Sequence, residues 1–146
     1  MDPTQAEWWW TVLFGALASG AVTGLALWWT LRHERRSTEM TELRKSVADL
    51  QASAFRAGSQ GPASDDWYDW LGPVYAAASD TSARAYRISP FLASEVARES
   101  GKLVKVLDSE PYEGMGEDAK KALVQLISMA DWWLKDAKAF ERTPGR

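Results

Sequence analysis

Apolar and polar positions fall into three blocks along the chain. The first is a run of 24 residues without a charge, Trp8 to Leu31: WWWTVLFGALASGAVTGLALWWTL. At 1.5 Å per residue a helix of that length is roughly 36 Å long, enough for a ~30 Å hydrocarbon layer. A helix also pairs its backbone polar groups internally, as lipid requires. Trp8, Trp9 and Trp10 stand at one end of the run, and Trp28 and Trp29 at the other. Indole rings suit the headgroup boundary, with the apolar body inward and the N–H in wet surroundings. The pattern predicts a single transmembrane helix over residues 8–31. A cleaved signal peptide fits less well, because Asp2 and Glu7 precede the run and the basic residues follow it.

In the second block the apolar period changes. Met40, Leu43, Val47, Leu50, Ala54 and Ala57 are spaced 3, 4, 3, 4, 3, the a and d positions of a heptad. This predicts a juxtamembrane amphipathic or coiled-coil helix over 32–56. Glu39 at g and Arg44 at the following e would face one another across a parallel pair. The same stripe would serve a helix lying against its own C-terminal domain. Residues 57–66, AGSQGPASDD, read as a flexible linker.

The third block, 67–146, predicts a small helical domain. Ala119, Ala122, Leu123, Leu126, Ile127, Ala130, Trp133, Leu134, Ala137 and Phe140 recur at helical spacing, so one helix is expected from Glu117 to Glu141. Ser89-Pro90 is a hydroxyl cap followed by proline at the first helical position, which starts a helix ending near Asp108. A third stretch, Asp65 to about Tyr86, carries Trp67, Trp70, Leu71, Val74 and Tyr75, with Gly72-Pro73 as a kink. No run alternates with period 2. The fold class expected is all-α: a membrane helix, a heptad helix and a bundle of three or so helices.

Charge sets the expected orientation. Only Asp2 and Glu7 precede the uncharged run, whereas Arg32, His33, Arg35 and Arg36 follow it. Positive charge stays on the cytoplasmic side, so residues 1–7 are expected outside the cell and everything from Arg32 onward in the cytoplasm. Trp8, Trp9, Trp10, Trp28, Trp29, Arg32, Arg35 and Arg36 are the expected membrane-interface residues.

Small residues in the run point to self-association. Ala16, Gly20 and Gly24 are spaced by four, and Gly20–Gly24 is a GxxxG pair that lets helices approach closely in lipid. Continuing the heptad register backwards puts Gly15, Ser19, Val22 and Ala26 on the seam. At ~100° per residue, Gly20 and Gly24 lie about 160° around the helix from Met40, so the two faces cannot both be in phase with the coiled coil. A homodimer is the expected assembly, through either the Gly15, Ser19, Val22 and Ala26 seam or the Gly20 and Gly24 face of the span, and through Met40, Leu43, Val47 and Leu50.

Composition removes several kinds of chemistry. There is no cysteine and one histidine, which excludes disulfides, thiol catalysis and multi-His metal sites in one chain. The balance of 17 Lys+Arg against 20 Asp+Glu, net −3, argues against a nucleic-acid binder. No phosphate loop, dinucleotide fingerprint, HExxH or GxSxG is present. No cofactor is implied and no catalytic residue stands out. Asp65, Asp66 and Asp69 lack the spacing of a calcium loop and suit a helix N-terminus. Trp67, Tyr68 and Trp132 form a candidate surface for an unidentified protein partner, since adjacent aromatics on a helix cannot all face one core.

The expected function is therefore non-enzymatic: a bitopic membrane protein that self-associates and presents a helical interaction domain to the cytoplasm. The competing reading is a holin-like permeabilising protein of a bacterium or phage, in which small-residue faces let many spans cluster.

Overall fold

The computed structural model describes the backbone of residues 3–61, 67–108 and 115–143, with side chains from residue 22 onward save those of Leu107 and Met115. All regular structure among the described residues is helical: α1 (Pro3–Gln60), α2 (Trp67–Ala85), α3 (Pro90–Asp108), α4 (Met115–Lys135) and α5 (Ala137–Arg142). Two compact units divide the chain, residues 1–38 and 39–146.

The second unit owes its core to four amphipathic stripes. Leu43, Val47, Leu50, Ala54 and Ala57 of α1 join Trp70, Leu71, Val74 and Ala78 of α2, with Leu92, Val96 and Leu103 of α3 and Leu123, Leu126 and Trp133 of α4. Met40 is half-buried against the same cluster. The heptad stripe assigned to a dimer seam is thus spent inside its own chain. Leu43, Val47 and Leu50 have no exposed surface left for a second copy. The packed unit accordingly starts at Glu39 and not at residue 67, and α1 supplies the extra helix that a three-helix bundle would have lacked. A stripe of apolar residues every 3.5 positions specifies that a face is buried, and leaves open whether the covering helix comes from the same chain.

Polar contacts fix how α1 sits on α2. The Ser46 hydroxyl donates to Asp80 Oδ2 at 2.8 Å, and the Thr81 hydroxyl donates to the Ser46 carbonyl at 3.1 Å. Arg84 Nε donates to both Asp80 oxygens at 3.0 and 2.8 Å, and its Nη1 reaches Glu42 at 3.2 Å. At the other end Trp70 Nε1 donates to the Ala57 carbonyl at 2.8 Å. That carbonyl also accepts from Gly61 N at 3.1 Å. Gly61 has φ +65°, the left-handed value that glycine adopts without strain at a helix C-terminus. Residues 57–60 of the expected linker are therefore helical, and 62–66 lie outside the described residues.

Asp136 interrupts the helix expected over 117–141. Its backbone leaves the helical region (φ −149°, ψ 84°), and its side chain accepts from Ala139 N at 2.9 Å, capping α5. The break brings Glu141 to the start of α3. Ser89 Oγ donates to Glu141 Oε1 and accepts from Trp133 Nε1 at 2.9 Å, while Leu92 N donates to the same carboxylate oxygen at 3.3 Å. The α3 amides are thus capped by a carboxylate 49 residues away from Leu92, with the Ser89 hydroxyl as a bridge. A negative charge at a helix N-terminus is stabilising. Among the described residues, every buried side-chain polar atom has a partner.

No helix among the described residues is long and apolar enough to cross a membrane. The side chains of residues 8–21, more than half of the uncharged run, lie outside the described residues. The membrane-spanning helix expected over 8–31 thus lacks support from the described part.

Two outcomes follow from this packing. Leu50→Ala removes a fully buried side chain and should cost about 2–5 kcal/mol, read by urea unfolding of the full chain in micelles. Because the stripe is intramolecular, that loss should not vary with protein concentration. The second concerns pH. Arg84 and Ser46, bonded to Asp80, hold its carboxyl below the usual carboxylate range against the opposing effect of burial. A depressed folded-state pKa contributes stability that is fully present above the unfolded value of about 3.9 and is lost as pH falls through the lower folded value. Asp80→Asn should therefore be less stable than the parent near neutral pH, with the difference closing in acid.

Candidate functional site

In the first unit the described side chains, Val22 to Thr38, are all exposed, and many are large and apolar. Val22, Leu25, Leu27, Trp28, Trp29 and Leu31 are each 55–67 % exposed. Soluble surfaces seldom carry so dense an apolar cluster without a covering. Where charge returns, helical spacing pairs each aromatic with a basic residue one turn on. The Arg32 guanidinium lies 5.0 Å from the Trp28 ring centre, and His33 stacks on Trp29 at 5.6 Å with 11° between planes. Arg35 and Arg36 are exposed beside them. The result is a collar whose ring faces are apolar and whose outer rim is cationic. The Thr30 hydroxyl donates to the Ala26 carbonyl at 2.9 Å, and the Ser37 and Thr38 hydroxyls donate to the Glu34 carbonyl at 2.8 and 2.9 Å, so these hydroxyls are satisfied within the helix.

The self-association residues separate into three groups. Gly15, Ser19 and Gly20 lie outside the described side chains, as do Trp8, Trp9 and Trp10. Val22, Gly24 and Ala26 are exposed, and a Cβ built on Gly24 would touch nothing. Met40, Leu43, Val47 and Leu50 belong to the core.

The proposed aromatic surface also separates. Trp67 is half-buried, edge-on to Trp70 at 5.3 Å, and lies close to Gly116 at the start of α4. Tyr68 is exposed. Trp132 is 43 % exposed and meets Phe140 edge-on at 5.1 Å, and Phe140 in turn meets Phe91 at 5.2 Å. Trp67 and Trp132 are thus structural on one side and available, at most, on the other. Trp67 packs toward Trp70 and the start of α4, and Trp132 toward Phe140.

Sequence reasoning did not find the trough between α3 and α4. One lobe, of about 270 Å³, is lined by Phe91, Met129, Trp132 and Phe140, with Glu95, Ser128 and Thr143. A second, of about 700 Å³, is lined by Lys102, Lys105, Lys121, Val106, Ala122 and Asp118. Arg98, Glu99 and Gln125 line both, so the lobes adjoin. Glu99, only 5 % exposed, is bracketed by Lys102 at 2.7 Å and Arg98 at 3.2 Å, and Arg98 also reaches Glu95 at 2.6 Å. The signal was present in the Arg98/Lys102/Lys105 spacing of 4 and 3, which puts three cations on one face of a helix. Only the antiparallel neighbour, carrying Lys121, turns that face into a trough.

Among the described residues no three His, Asp or Glu side chains gather as a metal site would need. Compared with protein-family models, with curated proteins and with solved structures, the chain matches none of them.

The collar generates a spectroscopic expectation. Trp28→Phe removes the better cation–π partner of Arg32 and leaves a smaller ring, while the second unit does not use Trp28. The variant should keep the parent's urea midpoint, and partition less well into phosphatidylcholine vesicles measured by co-sedimentation.

Proposed function

We propose that the chain is a single-pass, non-enzymatic membrane protein whose residues 8–31 span the bilayer, with residues 1–7 outside and the helical bundle of residues 39–146 displayed in the cytoplasm. The observation that carries this reading is the uncharged run closed by tryptophan at both ends, together with the exposure of all its described large apolar side chains. Such a surface is costly in water and at home in lipid. The cationic rim of Arg32, Arg35 and Arg36 supports the orientation, since it matches the anionic inner leaflet. A well-packed bundle with its own buried, fully partnered polar groups supports display of a domain over pore formation, which would ask nothing of residues 67–146.

Self-association, in this reading, is confined to the span. The heptad stripe is occupied, so a dimer would form through one of the two small-residue faces, Gly15/Ser19/Val22/Ala26 or Gly20/Gly24, by close backbone approach.

Two experiments test the proposal, and the absence of native cysteine makes both clean. Single cysteines at Thr4 and at Ser79 are exposed to an impermeant maleimide on intact cells. Labelling at Thr4 alone is expected. Release of the chain by alkaline carbonate, or labelling of Ser79, overturns the anchor or its orientation. Cysteines at Val22 and at Gly24 are then oxidised in membranes. A disulfide-linked dimer at one of them is expected, and a dimer at neither removes self-association.

A further inference from the structure

We propose that the trough between α3 and α4 is a docking site for a short acidic helix of a partner protein, one that carries an aromatic or large aliphatic anchor at one end. This role rests on the display reading above and names the chemistry of the partner that reading requires.

Charge complementarity is the first support. Residues 39–146 hold 14 Lys and Arg against 17 Asp and Glu, a net charge of −3. Within that negative body the basic lobe gathers four cations, Arg98, Lys102, Lys105 and Lys121, against two acids, Glu99 and Asp118. A local excess of the opposite sign steers an acidic partner to this face and away from the rest of the surface.

Shape is the second. The α3 and α4 helices run antiparallel, so Phe91 and Trp132 meet at one end and Lys105 and Lys121 at the other. From Lys121 to Trp132 along α4 is roughly 16 Å, three turns of helix. A trough of that length between two helices fits a rod of similar length laid into it, the helix-in-groove mode. A bilayer surface, which is broad and flat, has no such fit to a concave strip. The two lobes differ in kind, one aromatic and one cationic. An amphipathic helix with its anchor at one end and its carboxylates at the other is therefore held in a single direction. Trp132, with one edge on Phe140 and the other exposed, is the kind of half-packed aromatic that centres such contacts.

The test uses the full chain in detergent micelles, panned against a random display library of peptides about 12 residues long, the length of three helical turns. Enriched peptides are expected to be net acidic with one aromatic or large aliphatic residue near an end. Their binding, read by fluorescence polarisation, should weaken at least about fivefold in Gln125→Glu, which keeps the side-chain shape and adds a like charge at the junction of the lobes. Lys121→Glu should weaken it at least as much, and added salt should weaken it for the parent chain. Matching urea midpoints for parent and variants show that the bundle is intact. Three results overturn the proposal: enriched peptides without acidic excess, binding indifferent to both substitutions, or no peptide enrichment alongside Lys121-dependent capture of phosphatidylglycerol vesicles, which would assign the trough to lipid. None of these touches the maleimide labelling, so the anchor and the docking site fail separately.

Discussion

Burial of one apolar stripe, Leu43 to Ala57, holds the second unit together. It sits on the C-terminal part of α1 and is buried in one cluster with residues of α2, α3, α4 and α5. The Ser46–Asp80–Thr81 contacts at one end and the Trp70–Ala57 bond at the other set register and tilt. The apolar stripe supplies the larger free energy, because each fully buried leucine or valine contributes on the order of 2 kcal/mol while a net hydrogen bond contributes about 1. Hydrogen bonds add what hydrophobic burial does not have, a direction. Slipping α1 by one turn would still bury methyl groups, but would strand Ser46, Thr81 and the Trp70 indole without partners, at a desolvation cost of about 1–3 kcal/mol each.

The far side of the bundle is closed by a different device. Ser89, Trp133, Glu141 and the Leu92 amide form a small polar cluster that joins α3, α4 and α5. It lets the chain turn sharply at Asp136 without leaving α3 uncapped. Two solutions to one problem are therefore present: an aspartate that caps its own helix, and a glutamate that caps a helix far away in sequence. The second also carries Phe140 onto Trp132 and Phe91, which is how the aromatic lobe of the trough acquires its floor.

Much of the helical layout was legible in the residues, and the reasons differ from element to element. Ser89-Pro90 and Asp108 bound α3 because Pro90 and the Glu110-Pro111 pair just beyond Asp108 are strong local punctuation in the sequence. The α2 stretch emerged with its proline accommodated in the second turn. Helix α4 was read too long, because Asp136 breaks it without glycine or proline; only the capping bond to Ala139 betrays the stop, and Asp in mid-helix is common. The heptad stripe reads as buried, with a second copy or the chain's own domain as the cover, and the structure has the second of these, since periodicity carries no information about which chain does the covering. Ser89 was read as a cap for the right helix, but its hydroxyl serves Trp133 and Glu141, residues whose proximity depends on tertiary folding. The trough lay beyond sequence reasoning for the same cause: three of its cations are on α3 and the fourth, with the opposing wall, is on α4, and neither helix alone is unusual.

The placement of the stripe has a consequence for synthesis. Leu43, Val47 and Leu50 leave the ribosome about 90 residues before Trp133, a gap of several seconds at about 5–20 residues per second. During that interval the seam is finished and its cover is not.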